Sequence, residues 1–121
     1  MALPTPHPVL KEMRVSAFNA DSSAATSAYM SAPFRGKIVK LGSIAGAAVD
    51  SDRLITAKIN GTAITGGAVT LTASGSAAGD VHTWVPTALN LVNEDDTIEF
   101  LSDGAGGTAC PHQFFALIQM A

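Results

Sequence analysis

The sequence predicts an all-β fold: an antiparallel β-sandwich, jelly-roll-like, with an extended N-terminal arm. Three observations carry that expectation. Short runs alternate apolar and polar residues with period two along most of the chain. Clusters of Gly, Pro, Asn, Asp and Ser separate the runs at intervals suited to about eight or nine strands. No segment shows the apolar spacing of an amphipathic helix. A two-sheet Greek key of another topology satisfies the same observations. The 121 residues fit one domain, and a chain of this length buries about two thirds of its unfolded surface, so it folds without covalent staples.

Taken in order, residues 1–10 form the arm and residues 11–121 the sandwich. Pro4, Pro6 and Pro8 fix φ and remove three backbone donors, which excludes a helix or a central strand and favours an extended path. Such an arm suits reaching across to a neighbouring subunit; a frayed terminus has the same composition. Glu12 to Phe18 alternates, with Met13, Val15 and Ala17 on one face and Arg14 and Ser16 on the other. After the turn-forming Asn19 to Ser23, Thr26 to Ser31 is a second strand, stopped by Pro33. Gly36 to Ile44 is the third, and strict alternation puts Lys37, Val39 and Leu41 on one face and Ile38, Lys40 and Gly42 on the other.

Gly46 to Asp52 is a Gly-broken loop. Arg53 to Asn60 then runs into the strongest local signal in the chain. Asn60-Gly61 lies between two β-type runs, and a tight type I′ turn needs positive φ at both central residues. Thr62 to Ile64 returns briefly, Gly66-Gly67 interrupts, and Ala68 to Ser74 continues as a strand. Ser74 to Gly79 is a small-residue loop. Asp80 to Val85 is a short strand holding Trp84, closed by Pro86. The acidic turn Asn93 to Asp96 leads into Thr97 to Leu101, and Asp103 to Gly107 is a turn. Gln113 to Met120 closes the domain. Phe115, Leu117 and Gln119 alternate with Phe114, Ala116, Ile118 and Met120, so this strand is covered on both faces or lies at an interface.

Only 14% of the residues are charged. That is too apolar for disorder and light for an ordinary solvated surface, so part of the surface is expected to be covered by a partner. Net charge is −3, which gives nucleic acid no electrostatic footprint. All seven Lys and Arg lie in the first 58 residues, an asymmetry that would suit head-to-tail contact between copies. Cys110 is the one cysteine, so no intrachain disulfide forms. Residues 1–14 lack a signal-peptide pattern, and no apolar run reaches membrane-spanning length, so neither export nor a membrane is expected.

Candidate chemistry is sparse. The nucleophile elbow, the phosphate loop and the dinucleotide fingerprint are all missing, and no enzyme activity is expected, although a His/Ser/Asp grouping can still assemble in space. Cys110-Pro111-His112 offers a thiol and an imidazole, short of the four ligands of a zinc site. Asp50-Ser51-Asp52 and Glu94-Asp95-Asp96 lack the Gly and distal Glu of a calcium loop and read as solvated turn acids. No metal or cofactor is expected. Asn60-Gly61-Thr62 matches a glycosylation pattern but reads as the hairpin turn. Trp84, with His82 and Tyr29, is a candidate sugar-stacking group; a lone Trp in a small β domain is also a core or interface residue.

Four stretches carry a resemblance: Ala32-Pro33-Phe34-Arg35-Gly36-Lys37-Ile38-Val39-Lys40, Lys58-Ile59-Asn60-Gly61-Thr62-Ala63-Ile64-Thr65-Gly66-Gly67, Ser74-Gly75-Ser76-Ala77-Ala78-Gly79-Asp80, and Asn93 to Glu99. Over roughly residues 25–105 the chain resembles small tailed-phage virion proteins that decorate or cement capsids. The resemblance implies a jelly-roll-like module bound to the outside of a phage major capsid protein shell, associated with itself as a dimer or trimer and assembled in the host cytoplasm. It supplies no catalytic residue, and Trp84 and Cys110-Pro111-His112 match none of its features. The residues expected to anchor contacts or the core are Pro4, Pro6, Pro8, Phe34, Trp84, Phe114 and Phe115. The alternative function is a carbohydrate-binding or adsorption module displayed on a virion surface or tail.

Overall fold

A computed structural model describes residues 11–104 and 107–120. Among these residues every regular element is a strand. The nine are β1 (Glu12–Asn19), β2 (Ser27–Ser31), β3 (Gly36–Ala45), β4 (Arg53–Ile59), β5 (Thr62–Leu71), β6 (Val81–Trp84), β7 (Leu91–Val92), β8 (Thr97–Ser102) and β9 (His112–Met120). One sheet has the order β1-β9-β3-β6, with β7 also paired to β3; the other has the order β2-β8-β4-β5. All pairings are antiparallel. β1 lies beside β2 and β6 beside β5, so the two sheets stack as a jelly-roll-like sandwich. The expected arm, with Pro4, Pro6 and Pro8, falls outside the described residues.

The core follows from alternation. β9 turns His112, Phe114, Ala116 and Ile118 inward, and β8 turns Ile98 and Phe100 inward against them. Ile38, Leu41, Ile55 and Ala57 complete a fully buried centre. Phe100 and Phe114 stack at 5.0 Å, and Trp84 meets Phe100 edge-on at 6.2 Å. Both geometries suit the ring quadrupole.

The Asn60-Gly61 hairpin forms as expected, with φ of 49° and 84°. Its tip is fastened to β8. The Asn60 side chain accepts from Thr97 N at 2.9 Å and donates to Asp96 Oδ1 at 3.0 Å.

Two local expectations need correction, and one strand was not anticipated. First, the faces of β3 do not alternate throughout. The register steps from Ile38 opposite Ile118 to Lys40 opposite Leu117, which leaves Val39 as an inserted residue. A bulge shifts the period by one. Ile38 and Leu41 therefore both point inward, and Lys37, Lys40 and Gly42 point outward. The edge contacts missing at the bulge come from Asn90: Ile38 N donates to Asn90 O, and Asn90 Nδ2 donates to Ile38 O at 2.7 Å. Second, Thr62–Ile64 and Ala68–Ser74 are not separate strands. Thr62–Leu71 is one strand, β5, which stops short of Ser74 and in which Ile64–Gly67 bulges opposite Ala57. Gly67 is required there, since a Cβ would lie 2.8 Å from Ile64. The unanticipated strand is Leu91–Val92, which pairs with β3 over two residues, too short for any periodicity to reveal.

Candidate functional site

The outer face of the β1-β9-β3-β6 sheet is the most distinctive surface of the molecule. Registered antiparallel strands bring same-face residues level, so its side chains stand in rows. At one end, Glu12, Gln119, Lys37 and Leu91 are level. The next row is Arg14, Leu117 and Lys40. Ser16, Phe115, Gly42 and Thr83 follow, and Phe18, Gln113, Ile44 and Val81 end the face. Three cations therefore share this face with one carboxylate, Glu12. Leu91, level with Lys37, is 72% exposed, and Phe18 and Val81, in the last row beyond the uncharged third one, are 66% and 59% exposed. A cationic end and a bared apolar end on one face are the make-up of a contact surface rather than a solvated one.

Phe115 sits in the middle of this face and is nonetheless buried. Its ring lies flat over Gly42, where a Cβ would fall 2.0 Å from the ring. The Arg14 guanidinium covers it from above, 4.1 Å from the ring centroid. A ring laid over a strand glycine restores packing that the glycine cannot supply, and the cation completes a sandwich of backbone, ring and charge. Arg14 is thereby held in place on the face.

The other outer face differs. Its rows are Ser27, Leu101, Thr56 and Ala68, then Tyr29, Glu99, Lys58 and Ala63. Its one charged row sets Lys58 opposite Glu99, and Ser27 Oγ donates to Glu99. Tyr29 is exposed there as an isolated ring.

These positions separate the sugar-stacking trio. Trp84 faces inward on β6, packs on Phe100, and donates its Nε1–H to Gly67 O at 3.0 Å. Its indole thus closes the β5–β6 side of the core and is no open platform, because period-two alternation from Val81 turns it inward. Tyr29 lies outward on β2, at the opposite side of the sandwich. His82 lines a cavity between the sheets, away from Tyr29. Of the expected anchors, Phe114 is wholly buried in the core and Phe34 packs against it, half-buried. Phe115 alone belongs to the outer face.

One end of the sandwich holds a polar network that sequence reasoning missed. Arg53 is buried at the start of β4. Its Nη1 donates to Ser22 Oγ at 2.8 Å, its Nε to Ser51 O, and its Nη2 meets Asp50 Oδ1 at 3.4 Å. Ser22 Oγ also lies 2.9 Å from His112 Nδ1 and donates to Cys110 O. A hydroxyl and an imidazole at this distance resemble a nucleophile and its base, but Ser22 has no exposed surface, which puts its hydroxyl beyond a substrate's reach. Burial holds His112 below the ordinary imidazole range, and the nearby Arg53 cation adds to that, against the opposing Cys110 carbonyl. Only long-range pairing brings residues 22, 53 and 112 together. The one sequence signal was a lone arginine following Asp50-Ser51-Asp52.

The candidate metal groups serve as turn staples. Asp50 Oδ2 accepts from Thr108 N, Asp52 Oδ1 from Ala73 N, and Asp96 Oδ2 from Asn93 N, each at 2.7–2.8 Å. The backbone hydrogen bonds from Thr108 to Asp50 and from Asn93 to Asp96 are the main reason these carboxyls lie below their usual range. Among the described residues no three His, Cys, Asp or Glu gather as metal ligands.

No family model matches the chain, and no curated protein sequence matches it. Solved structures do share its fold. A chain in the acidic stable capsid structure of the Helicobacter pylori bacteriophage KHP30 aligns with a TM-score of 0.59 at 10% identity, over 90% of this chain and 87% of that one. The CBM36-1 domain of a multidomain xylanase from the hindgut metagenome of Trinervitermes trinervoides aligns with a TM-score of 0.59 at 13% identity, over 91% and 98%. The C-terminal CBM6 of the laminarinase LamC from Zobellia galactanivorans gives 0.54 at 10% identity, over 89% and 99%. At these identities the likeness is one of fold: an all-β, two-sheet, jelly-roll-like sandwich.

Proposed function

We propose that this chain is a structural virion protein, a capsid decoration or cement protein whose β1-β9-β3-β6 face docks on the phage major capsid shell. The observation that carries the reading is that face itself: Arg14, Lys37 and Lys40 stand at one end with bared Leu91, Phe18 and Val81 are bared at the other, and Arg14 is braced by Phe115. The fold shared with a phage-capsid chain of nearly equal length supports it. Apolar groups would supply the buried area, and the cations would select an acidic partner surface and its orientation. Many copies on one particle would multiply a modest single contact. In this reading the partners are capsid subunits and further copies of this chain, as a dimer or trimer, on the outer surface of the virion. Nucleic acid, membrane and enzymatic turnover have no part in it.

The test is co-sedimentation with expanded capsids that lack the protein, followed by thermal rupture of the particles. Wild type should bind and raise the rupture temperature. Arg14→Glu with Lys40→Glu should abolish both effects, while Lys58→Glu on the opposite face should leave them intact. Equal binding by all three proteins would refute the assignment of the face. Unchanged rupture with wild type bound would refute a cementing role. A glycan array separates the carbohydrate alternative: wild-type binding to a polymeric glycan with no affinity for capsids would favour an adsorption module instead.

A further inference from the structure

A cavity of about 130 Å³ opens between the two sheets at the end that holds the Arg53 network. Ser43 and Ala45 of β3, Leu71 of β5, His82 of β6 and His112 of β9 contribute inner-face side chains to it, and the 72–80 loop roofs it. Two of its groups are almost wholly buried. Ser43 is 2% exposed and His112 is 1% exposed.

Neither group is saturated. Among the described residues Ser43 Oγ has no hydrogen-bond partner, and the only partnered ring nitrogen of His112 is Nδ1, which meets Ser22 and Cys110 O. Yet among the described residues no side-chain nitrogen or oxygen that is sealed from solvent is left unpaired. Ser43 Oγ and His112 Nε2 must therefore take their small exposure from the cavity itself. Buried polar groups hold a partner as a rule, so these two mark a place where a ligand or water supplies it.

The chemistry of the lining narrows the ligand. Ser43 and Thr72 present hydroxyls, and the two imidazoles add nitrogen donors or acceptors. Ala45, Val49 and Leu71 form an apolar wall. Asp80 stands at the rim, and the Asp21, Asp50, Asp52 and Asp103 carboxylates belong to the same end, with Arg53 sealed beneath the surface. That field disfavours anions. A lining of hydroxyls, imidazoles and a C–H-compatible wall matches a neutral molecule with hydroxyls on one side and C–H groups on the other. Size sets a second limit: an apolar cavity of about 150 Å³ holds a benzene, six heavy atoms. We propose that this inter-sheet cavity is a binding site for a small neutral polyol, taking free glycerol whole or a monosaccharide by one edge. The site is independent of the outer face and of the docking role proposed for it.

The experiment follows the imidazole ring signals of His82 and His112 by NMR while glycerol, glucose, xylose or sodium phosphate is added to the folded 121-residue chain. Saturable shifts of both rings with glycerol or a monosaccharide are expected, and phosphate should produce none. Ser43→Ala should weaken the dissociation constant by about two- to tenfold, the worth of one hydrogen bond. His82→Ala, an exposed change that leaves the core intact, should weaken it as well, read from His112 alone. Rings that stay still with every polyol would overturn the proposal, leaving a water-filled cavity. So would shifts with phosphate alone, or polyol binding unchanged in Ser43→Ala whose melting temperature matches wild type.

Discussion

The two outer faces of this sandwich are built from the same pleat and do opposite things. On the β2-β8-β4-β5 sheet, Ser, Thr and Ala dominate, and Lys58 and Glu99 stand in one row. Its exposed large apolar groups, Tyr29 and Leu54, are 62% and 40% exposed and have no cation cluster near them. On the β1-β9-β3-β6 sheet, cations outnumber acids, a glycine is paved by Phe115, and Arg14 is locked over the ring. Fixing a long charged side chain before binding lowers the entropy lost when a partner arrives. The difference teaches that the low overall charge of the chain is unevenly spent: one face is made inert and the other is made specific.

The largest break in this contrast should come from Gly42→Val. Its side chain would occupy the site of the Phe115 ring, and ejecting that ring should cost about 2–3 kcal/mol in urea unfolding. Ala68→Val, an outward change on the opposite sheet, should stay within about 0.5 kcal/mol. Equal losses would show that Phe115 is not specially seated. A smaller effect, near 1 kcal/mol, is expected from Trp84→Phe, which keeps the ring contact with Phe100 but drops the Nε1 bond to Gly67 O. Arg14→Ala should cost about 0.5–1 kcal/mol through the lost cation–ring contact, with Lys58→Ala nearly silent as its counterpart.

The ends can be separated by pH. His112 titrates below its ordinary value of 6.5 in the folded chain, so above that value both states are neutral and its contribution is fully present. As pH falls below 6.5 the unfolded chain takes up the proton first, and stability is lost until the folded value is passed. Replacing it by His112→Gln should flatten the melting-temperature profile between pH 7 and 5. Asp21, held low by its Ser23 side-chain bond, and Asp50, held low by Thr108, act in a more acidic window. Their contribution is present above about 3.8 and fades as pH drops through their folded values. A profile of His112→Gln parallel to wild type from pH 7 to 5 would place the loss elsewhere.

Local chemistry was enough to foresee much of this molecule. Asn60-Gly61 dictates its own turn, since few other pairs accept positive φ twice. The alternation of Gln113–Met120 gives both faces of β9 correctly, and the turn clusters mark most strand ends. What escaped was whatever depends on a neighbour. The faces of β3 hinge on a single inserted Val39, which only pairing with β9 reveals. Leu91–Val92 is a strand because β3 lies alongside it. Trp84 is a core residue because Phe100 and Gly67, from other strands, receive its ring and its N–H.

By itself, then, the sequence determined the class of the fold, its main hairpin and the alternating faces of its last strand. Each of these rests on steric and solvation preferences acting within a few residues. Tertiary structure alone decided which side chains became a site. Arg14 meets Phe115 and Gly42 across three strands, and Ser22, Arg53 and His112 meet across most of the chain. Such contacts depend on register between distant segments, and register is settled by the packing of the whole core.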